Sequence, residues 1–222
     1  MKLKVLQKQN LNHLIINKMS KVSIIIPARF KSSRFPGKPL IKILGTEMII
    51  RVCNICEKIL KKKNIYVATD DNRIARVVKK FGFNYILTKK NCLTGTDRVF
   101  QAAKKIKSKI IINVQGDEPV INPKDIKKII KAKIKFPSHV ICGFNEIPYS
   151  VADNINIPKV VFDKNYNMVY MSRALIPKNK NSKKKNKIFK QVCIYGFNKN
   201  QLKEFSSLKK KGSLEKIEDI EL

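Results

Sequence analysis

The chain has 222 residues, enough for one domain with a buried core, or one domain with a modest appendage. A hydrophobic fraction of 43% argues against wholesale disorder, and no apolar run approaches the roughly 20 residues of a membrane-spanning helix. The net charge of +32 comes from 41 Lys and only 7 Arg; because base readers favour Arg, the charge reads as a solvated lysine surface and not as a specific nucleic-acid interface.

Residues 1–18 are polar and without period, and their longest apolar stretch, Leu14–Ile16, is shorter than the roughly 7–15 residues of a secretory signal. They read as an extension before a start at Met19, with 19–222 as a single domain. Val22–Ile26 is a short β-branched run bounded by Pro27, which predicts a buried strand. A polar loop follows from Ala28 to Pro39. Met48, Ile49, Val52, Cys56, Ile59 and Leu60 recur at helical spacing and predict a helix over 47–60. Strands are predicted at Ile65–Ala68, Tyr85–Leu87 and Ile110–Val114, and helices at Arg73–Lys80, Thr96–Lys105 and Pro123–Ala132. This alternation predicts an α/β sheet of mostly parallel order. After residue 138 the pattern changes to strands His139–Phe144, Lys159–Phe162, Met168–Met171 and Val192–Phe197. That reads either as a β-rich lobe or as a mixed extension of the sheet. Residues 178–190 hold seven lysines among Asn and Ser, a loop composition. At Ser213–Leu222, Leu214, Ile217 and Ile220 alternate with acids as on an uncapped amphipathic helix.

Two stretches carry chemistry. In Ile24–Leu40, Arg29, Lys31, Arg34 and Lys38 place four cations within ten residues just beyond a buried strand, beside Ser32, Ser33 and Gly37. Ligands of open α/β sheets bind beyond the carboxyl ends of strands, and such a loop can wrap a polyphosphate. Its spacing is neither a Walker A loop nor GxGxxG. On composition alone, a lysine-rich surface loop is an equal reading. In Asn113–Ile121, a buried strand delivers Gln115, Gly116, Asp117 and Glu118 to the same edge. Asp117 there is placed to hold Mg²⁺, and the alternative is a plain Gly116-Asp117 turn before Pro119. The five cysteines are odd in number and scattered, which fits reduced thiols in a cytoplasm. Cys53 and Cys56 form a CxxC inside a predicted helix and read as core packing.

Together these motifs resemble those of the 3-deoxy-manno-octulosonate (Kdo) cytidylyltransferase family. The matching segments run from about Lys21 to Leu222: IIPARFKSSRFPGKPL, YVATDD, TGTDR, NVQGDEP, PKVVFD, YMSRALIP, QVCIYGF and LEKIEDIE. The resemblance implies a three-layer fold like that of nucleotide-diphospho-sugar transferases, Rossmann-like, with a mixed, mostly parallel sheet and a small β-rich dimerisation lobe. It implies a cytoplasmic, homodimeric enzyme that uses CTP and Mg²⁺ to convert Kdo to CMP-Kdo and pyrophosphate for lipopolysaccharide. By the same resemblance Ala28, Arg29, Lys38, Arg98 and Gln115 meet the nucleotide, with Arg29, Lys38 and Asp117 catalytic and Asp117 the metal ligand. Arg34, Gln115, Arg173, Gln191, Tyr195 and Glu215 match positions near the sugar acid.

The sequence departs from the family at three points. Gln191 stands where the family has His, which opens the reading to a modified ulosonic or nonulosonic acid, since Gln cannot carry charge. Cys92 replaces a His before TGTDR. The family's second metal-binding Asp lies in a GVDTPEDL-like segment that would follow Leu222, so the expectation for these 222 residues is nucleotide binding with slow or absent transfer. A decayed homologue and a nucleic-acid-binding protein are the competing readings; the second lacks stacking aromatics beside the basic run.

Overall fold

The computed structural model describes residues 19–31, 35–180, 186–208 and 210–220. The N-terminal extension and Arg34 lie outside the described residues. The chain divides into two compact units, Met1–Ile141 with Ile194–Leu208, and Cys142–Cys193 with Lys209–Leu222.

The first unit is built on parallel strands β1 (Val22–Ala28), β4 (Ile65–Thr69), β5 (Asn84–Leu87) and β6 (Ile110–Val114), in the order β5-β4-β1-β6. Residues Ile194–Asn198 of β10 (Ile188–Asn198) run antiparallel beside β6. Every residue of β1 is buried, as befits a strand covered on both faces. Two-residue strands β2 (Lys42–Ile43) and β3 (Thr46–Glu47) form a small hairpin. Helices α1 (Met48–Glu57) and α4 (Pro123–Lys135) pack on each other, as do α3 (Gly95–Ala103) and α5 (Lys199–Phe205), so helices cover the sheet in a three-layer α/β arrangement. Helix α2 (Asn72–Lys80) packs on β4 and β5. Lys133 of α4 is fully buried, and its ammonium donates to the carbonyls of Pro137 and His139 and to Gln201 Oε1. Burial pulls its pKa down to about 8.

The second unit contains β7 (Ile141–Ile147), β8 (Lys159–Phe162), β9 (Met168–Ser172), the start of β10 and helix α6 (Ser213–Glu218). Strands β8 and β9 are antiparallel, and Val160, Met171 and Ile220 form a small core against Phe189. Phe144, Phe162, Tyr166 and Phe189 form an aromatic group, with the Phe144 and Phe162 rings 4.6 Å apart.

The predicted strands and helices are present, with four changes of bounds, at β1, β7, β10 and α6, and one helix, α5, that was not predicted. Strand β1 runs through Pro27 to Ala28: its ladder with β6 stops at Ile25, while that with β4 continues, so a missing N–H is tolerated. Strand β10 starts at Ile188, inside the stretch read as loop, and β7 starts two residues after His139. Helix α5 carries no strong apolar period and is set instead by a reciprocal cap between Asn198 and Gln201. Helix α6 does not run on to Leu222. It stops at Glu218 because Asp219 takes a left-handed conformation at φ 46°, and Ile220 turns into the unit's core while Leu214 and Ile217 stay exposed.

Candidate active site

Strand order places β1 between β4 and β6, the point where an open parallel sheet switches direction and where ligands bind beyond the strand ends. Arg29 leaves β1 at this edge and is exposed. The loop then closes on itself. The Gly37 N–H donates to Phe30 O at 2.8 Å, and Gly37 adopts φ 74°, with the Phe30 ring 3.2 Å from where a Cβ would sit. Glycine is required there on both counts. The Arg73 guanidinium covers the same ring at 3.3 Å from its centroid, and Arg73 is held by both oxygens of Asp71 at 2.7–2.9 Å. That pairing pulls the Asp71 carboxyl down to about 2. A chain of contacts from Asp71 through Arg73 and Phe30 to Gly37 therefore braces the loop that carries Arg29 and Lys38.

Gly37 also opens the turn Lys38–Leu40, which aims Lys38 at the end of β6. Its ammonium lies 2.7 Å from Asp117 Oδ2, both side chains about half exposed. Gly116 makes this approach feasible: a Cβ at that position would fall 2.7 Å from Pro27 O. Gln115 is half-buried at the same edge, and buried Ala28 pairs with Thr69 in the ladder. An ammonium on Asp117 is a cation standing at a carboxylate. Among the described residues no group of three or more His, Cys, Asp or Glu converges on a metal position. A cation at Asp117 would thus take its other ligands from phosphate and water, the usual habit of Mg²⁺.

Arg98 is placed differently from its neighbours in the motif list. It is 4% exposed, donates to Thr88 Oγ1 and pairs with Asp70 Oδ2 at 3.1 Å. Thr94 and Asp97 of the same TGTDR stretch form the capping box of α3. Asp70 and Asn113 were missed as candidates; Asp70 Oδ1 and both amide atoms of Asn113 are buried without a protein partner. The YVATDD and NVQGDEP strings contained them, but nothing in their spacing marked them. Tyr195 also lies in this unit, 9% exposed, its ring 6.1 Å from that of Phe197.

In the second unit, Arg173 donates to three carbonyls: Glu218 O, Ile155 O at 3.0 Å and Asp219 O at 2.9 Å. Glu218 returns the contact, accepting from the Arg173 N–H at 2.7 Å, Ser172 Oγ at 2.6 Å and Tyr170 Oη at 3.1 Å. These bonds, the Arg173 N–H first, lower the Glu218 pKa. Glu215 accepts from Gly212 N at 3.3 Å, while its other carboxylate oxygen is buried without a partner. Gln191 is 7% exposed beside Cys142. Cys53 and Cys56 are fully buried in α1, where burial raises both thiols, Cys56 to about 12, so the CxxC is core packing.

A family model described as "Cytidylyltransferase" matches residues 23–222. A 3-deoxy-manno-octulosonate cytidylyltransferase of Bacteroides thetaiotaomicron is 38% identical over 89% of this chain and 82% of its own. The chain belongs to the Kdo cytidylyltransferase family. It is therefore a nucleotidyltransferase. A solved CMP:2-keto-3-deoxy-manno-octonic acid synthetase complexed with CTP superposes on this cytidylyltransferase with a TM-score of 0.83 at 34% identity, covering 90% of this chain and 83% of that one. The 8-amino-3,8-dideoxy-manno-octulosonate cytidylyltransferase of Shewanella sp. (strain ANA-3) is 35% identical over 90% of this chain and 83% of its own. The mixed, mostly parallel fold expected from sequence is thereby established. No helix among the described residues is long and apolar enough to cross a membrane.

Proposed function

We propose that this cytidylyltransferase joins CTP to Kdo, giving CMP-Kdo and pyrophosphate for lipopolysaccharide assembly. The observation that carries the reading is the meeting of Lys38 with Asp117 at the β1/β6 edge, two residues that are 79 apart in sequence. The sugar's anomeric hydroxyl attacks the α-phosphate and pyrophosphate leaves. Such transfer depends on positioning and charge neutralisation, which Arg29 and Lys38 supply along the phosphates. Mg²⁺ on Asp117 would supply further neutralisation of phosphate charge. For the sugar acid we keep Gln115 and Tyr195 of the first unit; the family resemblance also names Gln191 and Glu215. Arg173, near the sugar by resemblance, uses its guanidinium on three carbonyls and so shapes the second unit. Arg98 acts on the nucleotide side through Asp70. The test is pyrophosphate release from CTP, Kdo and Mg²⁺. Release at equal rates with UTP or ATP would overturn the cytidine assignment.

A second reading of the sugar rests on Gln191, an uncharged side chain where the resemblance implies His, and on similarity to enzymes named for an 8-amino sugar. Comparing kcat/KM for Kdo and 8-amino-3,8-dideoxy-Kdo at matched CTP separates the two. If Kdo is the substrate, Gln191→His is neutral or improves its turnover; if the amino sugar is, the change harms it. We also propose a homodimer in the cytoplasm. Support for the dimer comes from the aromatic group of the second unit, with Tyr166 at 72% and Phe144 at 39% exposure, and support for the cytoplasm from an odd, scattered set of five cysteines. A monomer by light scattering at micromolar concentration would remove the dimer.

A further inference from the structure

The contact between Lys38 and Asp117 has a cost for each partner. An ammonium bonded to Asp117 at 2.7 Å neutralises the carboxylate that a divalent cation would need. The same bond occupies the ammonium that a phosphate would need. Lys38 is held in this place by the left-handed Gly37 turn, and Asp117 by Gly116, whose backbone passes too close to Pro27 to admit a side chain. The pairing is therefore set by two turns that each depend on a glycine. Both side chains keep about half their exposure, so each is reachable by a ligand, and the bond between them is weak enough to exchange. The loop's other lysine, Lys31, is exposed and pairs with no carboxylate among the described residues.

We propose that Lys38 is an exchangeable counter-ion of Asp117: it keeps the carboxylate closed to a lone divalent cation and is released to the triphosphate when nucleotide and metal arrive together. The inference deepens the phosphate and metal assignments made above and rests on them. A metal binding alone must displace Lys38 with nothing to receive it. A metal binding with a polyphosphate lets Lys38 move from one anion to another, and the two ligands then assist each other by linkage.

The test uses Mn²⁺ alone, without nucleotide, titrated by electron paramagnetic resonance against the full chain. Lys38→Met removes the counter-ion. The expected result is Mn²⁺ binding about two- to fivefold tighter than in the wild type, the range of a half-exposed ion pair. Metal-free CTP binding should weaken in the same variant. Lys31→Met removes an equal charge from the same loop without touching Asp117, and should change Mn²⁺ affinity less. Equal effects from the two substitutions, or no tightening in Lys38→Met, would overturn the exchange. Asp117→Asn separates this failure from that of the site itself: if Mn²⁺ binds Asp117→Asn as well as the wild type, Asp117 is not the metal ligand and the parent assignment falls. A second readout is metal-free CTP affinity in a double-mutant cycle. Lys38→Met should cost two- to fivefold more in the Asp117→Asn background than in the wild type, because Lys38 there has no competing partner.

Discussion

In the first unit, Arg29, Lys38 and Asp117 sit on turns beyond the strand ends, with side chains reachable from solvent, and Lys38 pairs with Asp117. In the second unit, Arg173 and Glu218 belong to motif segments just as distinct, yet the Arg173 guanidinium donates to the carbonyls of Ile155, Glu218 and Asp219, and the Glu218 carboxylate accepts from Tyr170, Ser172 and the Arg173 backbone N–H. The difference follows from size. The first unit has a covered sheet large enough to hold its shape by apolar burial. The second has three buried apolar residues, Val160, Met171 and Ile220, in its core cluster, and charged hydrogen bonds do the joining that a larger core would do. Arg29, Lys38 and Asp117 of the large unit are thus reachable by a ligand, whereas Arg173 and Glu218 of the small unit are engaged in the fold, as is Arg98, buried on Asp70 and Thr88, in the large one.

The strongest way to break this comparison is Arg173→Ala. It removes the donor from three carbonyls, two of them exposed, and frees the end of α6, and should lower stability by roughly 1.5–3 kcal/mol. Urea unfolding gives that number, and hydrogen exchange should locate the loosening in residues 210–220. If stability holds and only the KM for the sugar rises, Arg173 touches substrate and the two units are alike. The counterpart is Arg29→Ala. Losing a charge-assisted phosphate contact should weaken CTP by roughly 10- to 150-fold. The exposed side chain should leave stability within about 0.5 kcal/mol. Gly116→Ala falls between these classes. The added methyl must push the Asp117 turn away from Pro27 O, which should cost roughly 1–3 kcal/mol and weaken CTP as well. An unchanged CTP affinity would mean that the turn does not set the position of Asp117.

The same contrast governs how much could be read from the sequence. Strands β1, β4 and β6 were legible because their apolar runs are short, β-branched and sharply bounded, and a candidate site could be placed at their ends, where ligands of such sheets bind. Lys38 and Asp117 could be named but not paired, because their contact spans 79 residues and depends on a left-handed glycine. Arg73 was read only as the start of a helix and Asp71 only as the end of the YVATDD segment; their bracing of Phe30 is a tertiary contact with no local sign. The end of α6 was misread for the same reason. Its last carbonyls are capped by Arg173, 45 residues earlier, and no neighbouring residue announces the stop. Lys133 and Lys159 were counted with the solvated lysines, yet both are fully buried, each on backbone carbonyls that local pattern cannot reveal.

The smallest effect sharpens the comparison through acid. Asp71 and Glu218 are both carboxylates lowered by hydrogen bonds, one in each unit. For Asp71 the folded value of about 2 lies below the ordinary 3.8, so its contribution is present above pH 3.8 and is lost as pH falls through about 2. Asp71→Asn keeps the helix cap, since Asn caps as well as Asp, and removes only the pairing with Arg73. It should shift Tm by at most about 2 °C at neutral pH, and the gap from wild type should close at the acid end. Glu218→Gln has the same sign but should cost more, because Glu218 joins Tyr170, Ser172 and Arg173 in a unit with little else to hold it. Thermal melts of both variants from pH 2 to pH 7 give the comparison. Should Asp71→Asn prove as costly as Glu218→Gln, the large unit would also depend on its charged bonds, and core size would not explain why the nucleotide-side charges are free. A further reading of the same variant guards the loop argument: Arg73 released from Asp71 should no longer hold Phe30, so CTP affinity should fall a few-fold even where Tm barely moves.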